Sequence, residues 1–149
     1  MDQIDIHLLE LLQYDARLSI SELSKQLSLS RPSVSERLKR LQEKGIIEGF
    51  TARVNPYSVG RKILVFIQLS DLRIQSYTEF ERRILEDPAY IECHRLTGSV
   101  GYLLKAAVPT MDQLTNLIDS LLPFGSVNTS IVLSSPVPFK SIVPDMVDS

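Results

Sequence analysis

Residues 29–44 read LSRPSVSERLKRLQEK and carry a local excess of positive charge. Five of these side chains are basic and two are acidic, whereas the rest of the first sixty residues holds three basic and six acidic ones. Val34, Leu38 and Leu41 recur at helical spacing and form one apolar stripe. Ser30 is suited to capping the first turn. The pattern predicts an amphipathic helix that buries the stripe and exposes a basic surface.

Two shorter helices are predicted before this one. Asp2 is suited to capping the first, and the second begins at Ser19 with Glu22 three residues later, which is the spacing of a capping box. After the basic helix, Gly45 favours a left-handed termination, and IIEGFTARV at 46–54 is predicted to form a short β-hairpin. Three helices with a tight turn between the last two, followed by a β wing, are typical of a winged helix-turn-helix domain.

The outward face of the basic helix has residue types that read DNA. Hydroxyls and a guanidinium at the helix start suit hydrogen bonding to base edges. The base-edge candidates are Ser30, Arg31, Pro32 and Ser33. Basic residues farther along are better placed for phosphates, which position a helix without specifying sequence. The phosphate candidates are Arg37, Lys39, Arg40 and Lys44.

Three more residues belong to the predicted interface. Ser35 lies on the flank of the helix, and Arg53 on the predicted wing is a further phosphate candidate. Glu36 can accept from a cytosine amino group or pair with Arg40 on the helix surface. A generic helical subdomain with solvated basic residues fits the same periodicity, so the pattern alone leaves both interpretations open.

The chain after residue 54 has a different organisation. Residues 55–61, NPYSVGR, contain Pro and Gly without periodicity and are predicted to be a linker. The later elements are predicted, in order, as a strand at 62–70, a helix at 76–85, strands at 90–97 and 102–108, a helix at 110–121 and a strand at 127–134. This βαββαβ order is the ferredoxin-like arrangement, so the expected fold class is α+β. The expected divisions are domains at 1–54 and 62–134, the linker, and a proline-containing tail at 135–149.

The first predicted strand of this second domain has apolar residues on both of its faces. Residues 63–67 read ILVFI, although successive side chains of a strand point to opposite sides of a sheet. Two helices can cover only one face of a four-stranded sheet. A second copy of the chain is the simplest cover for the other face, which would otherwise be a large apolar patch. The sequence therefore predicts a dimer formed through the sheets, with either Val65 and Ile67 or Leu64 and Phe66 at the interface.

Composition excludes several classes of protein. The 149 residues carry a net charge of −2 and are 44% hydrophobic, as expected for a soluble globular chain. No apolar run approaches the roughly 20 residues of a membrane-spanning helix, and the start, MDQID, does not resemble a signal peptide. A single cysteine cannot form an internal disulfide, which fits a reducing cytoplasm. We expect a cytoplasmic protein without a membrane partner.

The reactive side chains do not assemble into an enzyme. Cys93 and His94 are adjacent in a predicted strand and point to opposite faces, so they cannot act as nucleophile and base. Cys93 is predicted instead to be a buried small apolar residue. The sequence also lacks the Cys and His clusters of a zinc site and the glycine motif of a phosphate loop. We expect no catalysis, no metal and no cofactor.

An RNA-recognition domain shares the βαββαβ order and needs separate consideration. Such domains stack bases on basic and aromatic side chains of their third strand. The third strand here, YLLKAAV, lacks that pattern. RNA binding is therefore not expected.

The two halves together resemble the Lrp/AsnC family of prokaryotic transcription regulators over nearly the whole chain. The resemblance is carried by DQIDIHLLELLQYDARLSISELSKQLSLS, VSERLKRLQEKGIIEGFTARVNPYSVG, ECHRLTGSVGYLLKAAVP and TSIVLS, in this order. It implies a helix-turn-helix motif over Ser21–Arg40, which adds Ser21 to the DNA-contacting set. It further implies double-stranded DNA as a partner, and dimers that associate into tetramers or octamers.

The resemblance also implies that the C-terminal domain senses a small molecule, often an amino acid. The loop TGSVGY and a residue of the last strand correspond to the effector site. The candidate effector residues are Gly98, Ser99, Val100, Gly101, Tyr102 and Thr129. Relatives usually carry an acidic residue just before the tyrosine, where this chain has Gly101.

The glycine at this position bears on which effector is expected. Hydroxyls and amides of the loop suit an amino acid's carboxylate, but a buried ammonium group needs a paired charge. Glu92, Asp112 or a residue of another subunit are the alternatives for that charge. We expect a weak response to ordinary amino acids or a ligand without an ammonium group, while a plain β-turn fits the loop equally well.

The sequence thus predicts a sequence-specific DNA-binding regulator. One alternative is an architectural DNA-binding protein of the same family with low specificity. Another is a small-molecule-binding module whose helical domain makes only protein contacts. Preferential binding to a defined promoter fragment over competitor DNA would separate the three.

Overall fold

The computed structural model describes residues 1–144 of the chain, so the last five residues of the predicted tail lie outside the described part. Two compact units are present. One contains Met1–Ala52 together with residues 137–144 of the tail, and the other contains Arg53–Pro136.

Three helices make up the first unit, and each begins with a side-chain cap. They are α1 (Gln3–Tyr14), α2 (Ile20–Leu27) and α3 (Arg31–Glu43). Asp2 caps α1 and Ser19 caps α2, each in a reciprocal capping box with the residue three positions later. Ser30 accepts from the backbone N–H of Ser33 at the start of α3. These three caps are as the sequence predicts.

The helices are held together by a small apolar core and a tight turn. Leu8, Leu23, Val34 and Leu41 are almost completely buried where α1, α2 and α3 meet. Between α2 and α3, Ser28 adopts a left-handed conformation with φ of 54°. This conformation reverses the chain within three residues and sets the helix-turn-helix geometry.

The predicted β-hairpin at 46–54 is wrong, because the structure contains no strand there. Ile46 is 44% exposed and Phe50 is 46% exposed, so neither side chain is anchored in a core. A hairpin of two short strands is marginal unless it packs on a third strand or a helix. The wing segment therefore runs as irregular chain after Gly45, whose φ of 68° ends α3 as predicted.

The tail of the first unit lies along α1. The side-chain amide of Gln13 exchanges two hydrogen bonds with the backbone of Ile142, both of 2.8 Å. The predicted alternatives for the tail were an extended edge segment or an arm that wraps a partner. Its described part around Ile142 contacts the helical unit of its own chain.

The second unit is a four-stranded antiparallel sheet with two helices, in the predicted βαββαβ order. Its elements are β1 (Ile63–Ser70), α4 (Tyr77–Glu86), β2 (Tyr90–Arg95), β3 (Val100–Val108), α5 (Met111–Leu121) and β4 (Ser126–Ile131). The strand order across the sheet is β2-β3-β1-β4. The α+β class and the ferredoxin-like arrangement are confirmed.

Burial separates the two faces of the sheet. Val65 and Ile67 are fully buried and pack with Phe80 of α4 and Leu114 of α5. Because side chains alternate along a strand, Leu64, Phe66 and their neighbours lie on the face that carries no helix. On that face Phe66 is paired in register with Lys105 of β3 and Ser130 of β4. We call it the open sheet face.

Cys93 is not the buried residue that the sequence predicts. It is exposed on β2, which is an edge strand with a hydrogen-bonded neighbour on one side only. The error arises because an apolar pattern does not reveal whether a strand lies at the edge or in the middle of a sheet.

Candidate DNA interface and effector loop

The start of α3 brings two predicted DNA-contacting residues together across the helix-turn-helix. Arg31 is exposed, and its Nη2 donates to Ser21 Oγ at 3.0 Å. Ser21 belongs to the first turn of α2, so this bond joins the two helices of the motif. The guanidinium is therefore held at the helix start, where base edges are read in such motifs.

The predicted outward face of α3 largely agrees with the observed exposure. Ser33 and Arg37 are half-buried. The exposed members of the predicted set on this helix and its cap are Ser30, Arg31, Pro32, Ser35, Glu36, Lys39, Arg40 and Lys44. Arg53 is exposed too, within the irregular segment after α3. The exposed surface thus combines hydroxyls at the helix start with cations farther along.

Arg37 and Arg40 are engaged by carboxylates of α1. Arg37 Nη1 lies 2.7 Å from Asp2 Oδ2 and 2.7 Å from Asp5 Oδ1. Arg40 Nη2 lies 2.9 Å from Asp5 Oδ1 and 3.0 Å from Oδ2. These bonds cross between the first turn of α1 and the middle of α3, and we call them the α1–α3 ion cluster.

The α1–α3 ion cluster changes the interpretation of two predicted residues. Arg37 has only 19% of its side chain exposed and contacts both carboxylates, so its observed role is to join α3 to the start of α1, and its phosphate contact stays a prediction. Its hydrogen bond to Asp2 lowers the pKa of that carboxyl and raises the pKa of the guanidinium. Arg40 is directed to Asp5 rather than to Glu36, the alternative partner considered from the sequence.

Sequence reasoning assigned Asp2 a capping role and missed Asp5. The sequence feature that indicates Asp5 is an acidic residue at the third position of α1, between Ile4 and Ile6, on the side of the helix that packs inward. A buried carboxylate requires a partner of opposite charge. The basic helix α3 was the obvious source of that partner.

The two remaining lysines of α3 differ in their surroundings. Lys39 Nζ lies 3.6 Å from Glu43 Oε1, and both side chains are mostly exposed. Such solvent-screened pairs are weak, so Lys39 can exchange this partner for a phosphate. Lys44 is exposed at the C-cap of α3.

The effector loop lies between β2 and β3. Gly98 has φ of 95°, a conformation that favours glycine, and Leu96 N–H donates to the carbonyl of Gly101 at 2.9 Å to close the turn. Ser99 is exposed at the turn, and Val100 begins β3 opposite Ser70.

Gly101 leaves room for a neighbouring side chain, that of Leu72. A Cβ at this position would lie 2.8 Å from Leu72 Cγ and closer still to Leu72 Cδ1. The side chain of Leu72 packs against the core of the second unit. It fills the space beside the loop that any longer residue at Gly101 would need.

The predicted effector residues do not come together within one chain. Tyr102 is buried, and its hydroxyl donates to Glu81 Oε1 at 2.5 Å. Burial, followed by the nearby carboxylate, raises the pKa of Tyr102. Thr129 pairs in register with Ile67, which pairs on its other side with Leu104. It is thus two strands from β3 and several residues along from the loop.

The proposed substitutes for the missing acid have different environments. Glu92 lies 2.8 Å from Lys105 and 3.3 Å from His94, and the hydrogen bond from Lys105 lowers the pKa of Glu92. Its charge is therefore already matched. Asp112 is exposed in the first turn of α5.

Residues 1–144 contain neither a cluster of metal-binding side chains nor a membrane-spanning helix. No group of three or more His, Cys, Asp or Glu side chains in this part of the chain is arranged to hold a metal ion. No described helix is both long and apolar enough to cross a membrane.

Comparison with known protein families matches both units. Residues 1–48 match the winged helix-turn-helix DNA-binding family, and residues 62–142 match the Lrp/AsnC ligand binding domain. The leucine-responsive regulatory protein of Escherichia coli is 36% identical over 131 residues, which are 86% of this chain and 80% of that protein. The HTH-type transcriptional regulator FL11 of Pyrococcus furiosus is 34% identical over 119 residues, covering 80% and 78% of the two chains.

Solved structures agree over most of the length. LrpC of Bacillus subtilis superposes with a TM-score of 0.86 at 29% identity and covers 93% of this chain and 99% of that one. The transcriptional regulator NMB0573 of Neisseria meningitidis, solved in complex with L-Met, also gives a TM-score of 0.86, at 31% identity and coverages of 95% and 96%. With a basic helix-turn-helix, a ferredoxin-like second unit and relatives that match both, the chain belongs to the Lrp/AsnC family of transcription regulators.

Proposed function

We propose that this protein is a cytoplasmic, non-enzymatic transcription regulator that inserts α3 into the major groove of specific DNA sites. The observation that carries the proposal is the start of α3, where Arg31 is exposed and oriented by Ser21. A guanidinium beside short hydroxyls suits base-edge contacts, because arginine is the usual bidentate partner of guanine. The helix-turn-helix relatives support the same role.

The proposed DNA-contacting residues divide into two roles. Arg31 and Ser33 are assigned to base edges, with Ser30, Pro32, Ser35 and Glu36 beside them. Lys39, Arg40, Lys44 and Arg53 are assigned to phosphates, which supply affinity without sequence information. Arg37 is left out of the proposed contact set because the N-cap Asp2 and Asp5 of α1 already engage it.

Dimerisation through the open sheet face is part of this proposal. Leu64 and Phe66 are half-buried there, and the ammonium of Lys105 lies 5.6 Å from the centroid of the Phe66 ring. A second sheet against this face would remove the apolar side chains from water and present two copies of α3. For such a dimer we expect half-sites about 34–36 Å apart or a multiple of that spacing. Further association into tetramers or octamers is an extension of the same proposal.

Regulation by a small molecule is the second part of the proposal. A relative of similar fold binds L-Met, and the second unit matches a ligand-binding family. In this chain Leu72 fills the space beside Gly101, and Tyr102 donates its hydroxyl to Glu81. We expect an effector without an ammonium group, or a weak response to ordinary amino acids, at a site that a second subunit completes.

Fluorescence anisotropy on labelled duplexes tests the main claim. The fragment upstream of the protein's own gene is tried first, and sites selected from a random library follow. Binding that survives excess competitor DNA, with a steep dependence on salt, supports a specific regulator. Equal affinity for all fragments would favour an architectural protein, and no DNA binding would favour a small-molecule module with a protein-contacting helical domain.

A further inference from the structure

Asp5 is the one buried charged side chain among residues 1–144, with 2% of its surface exposed. Its carboxylate accepts from Arg37 Nη1 and Arg40 Nη2 at 2.7–3.0 Å, and from the backbone N–H of Asp2 at 3.2 Å. A buried carboxylate with this many donors is fixed in position. Both arginines belong to the helix that faces DNA.

The Asp5 contact fixes one edge of Arg40 and leaves the rest of the group accessible. Arginine has five N–H donors in a rigid plane, and Asp5 engages only those of Nη2. The side chain of Arg40 is 44% exposed. Its Nε and Nη1 are therefore the donors available to a phosphate, at an angle that Asp5 sets.

The same contact reduces the positive charge of α3. Arg37 and Arg40 contribute two positive charges to the cluster, and Asp2 and Asp5 contribute two negative ones. The electrostatic attraction of α3 for any DNA is lower than its four basic side chains and the Lys44 cap suggest, while the rotation of α3 against α1 is restrained. The first effect weakens sequence-independent binding, and the second favours one docking register.

We infer that Asp5 is a positioning residue that raises the ratio of specific to non-specific DNA affinity, acting through Arg40 and Arg37. The inference rests on the proposed DNA-binding function. A substitution that only destabilised the fold would lower affinity for both kinds of DNA, whereas loss of the Asp5 charge should affect the two differently. Removing the carboxylate charge leaves random-DNA affinity unchanged or higher while affinity for the preferred site falls.

The test is Asp5→Asn, which keeps the size of the side chain and removes its charge. Anisotropy titrations of the full chain compare a preferred duplex with a scrambled one across a salt series. We expect the specificity ratio to fall roughly tenfold, as for the loss of a charge-assisted hydrogen bond. We also expect the salt dependence on scrambled DNA to become steeper, because the freed cation recruits a phosphate.

Glu43→Gln is the matched control. It removes one negative charge from α3 itself and frees Lys39, but it does not touch the α1–α3 ion cluster. It should strengthen binding to both duplexes by a similar factor and leave the specificity ratio unchanged. A control that lowers the ratio as much as Asp5→Asn would overturn the positioning role.

The double variant Asp5→Asn/Arg40→Gln tests the route of action. If Asp5 acts through Arg40, Asp5→Asn lowers the specificity ratio less in the Arg40→Gln background than in the natural one.

Two results would refute the inference. One is an equal loss of affinity for both duplexes together with a lower melting temperature, which would make Asp5 merely structural. The other is an unchanged specificity ratio in Asp5→Asn. Should Asp5→Asn fail to fold, Asp2→Asn tests the cluster through Arg37, and an unchanged ratio there counts against it. If the natural chain itself shows no site preference, the proposed function fails instead.

Discussion

Leu72 and Gly101 pack so closely that the glycine cannot be replaced without moving the leucine. A Cβ on Gly101 would lie 2.8 Å from Leu72 Cγ, well inside normal contact. Leu72 is half-buried against the core, and Gly101 lies in β3 beside the effector loop. Leucine therefore fills the space in which an acidic side chain would stand at this position.

This packing changes the test of the effector hypothesis. From the sequence, Gly101→Asp alone is expected to raise amino-acid affinity by restoring a charge. With Leu72 in place, we expect that substitution to lower the melting temperature and to leave amino-acid affinity no higher. Leu72→Ala/Gly101→Asp provides both the space and the charge, and calorimetry against the twenty amino acids should then detect binding.

Leu72→Ala alone is the control for that experiment. It opens the space without adding a charge and should cost about 1–3 kcal/mol of stability, at the lower end of leucine truncations because the side chain is only half-buried. Micromolar binding of an ordinary amino acid to the natural chain would contradict the hypothesis. No binding by the double variant would show that the loop is not the limiting feature.

The division of roles on α3 gives a second prediction. Arg31→Ala should weaken the free energy of binding to the preferred site by roughly 1–3 kcal/mol, because it removes a base contact. Its effect on binding to scrambled DNA should be small. Lys44→Ala should weaken binding to both and reduce the salt slope by about 0.9, the value for one lost phosphate contact. If both variants lost equal affinity for specific and for scrambled DNA, the division into base-edge and phosphate contacts would be contradicted.

Local features of the fold were predictable from the sequence because each depends on a few neighbouring residues. The caps at Ser19 and Ser30 require only a hydroxyl three positions before a backbone N–H. The left-handed Gly45 and the order of helices and strands follow from similar short patterns. These are the elements for which the prediction and the structure agree.

The errors concern partners that are distant along the chain. The ion pair of Arg37 is missed by the local pattern because its partner Asp5 lies 32 residues away. The close packing of Gly101 on Leu72 is not visible in the local pattern because the two residues are remote in sequence. The hairpin at 46–54 failed for a related reason, since strands need a packing surface that the local pattern does not specify. Spatial partners of this kind become visible only in the folded chain.

The open sheet face gives a third prediction. Phe66→Glu should convert a dimer into a monomer, because it replaces an apolar ring by a charge that dimerisation would bury, beside a Lys105 that already pairs with Glu92. Sedimentation at micromolar concentration measures the change, with circular dichroism to establish that the fold is retained. Gln113→Glu adds the same charge on the exposed surface of α5 and should leave the dimer intact. A natural chain that sediments as a folded monomer would refute the interface.

The last prediction concerns pH and the α1–α3 ion cluster. The hydrogen bond from Arg37 lowers the pKa of Asp2 in the folded chain below its unfolded value of about 3.9. A depressed folded pKa contributes stability above the unfolded value, and this contribution is lost as the pH falls through the folded pKa. Asp2→Asn keeps a good N-cap but removes the charge, so it should lower the melting temperature at neutral pH. The effect should be no more than about 1 kcal/mol, because half of the Asp2 side chain is exposed. Melting curves of the two proteins should therefore converge below pH 4, whereas a gap that stays constant down to pH 2 would exclude a charge effect.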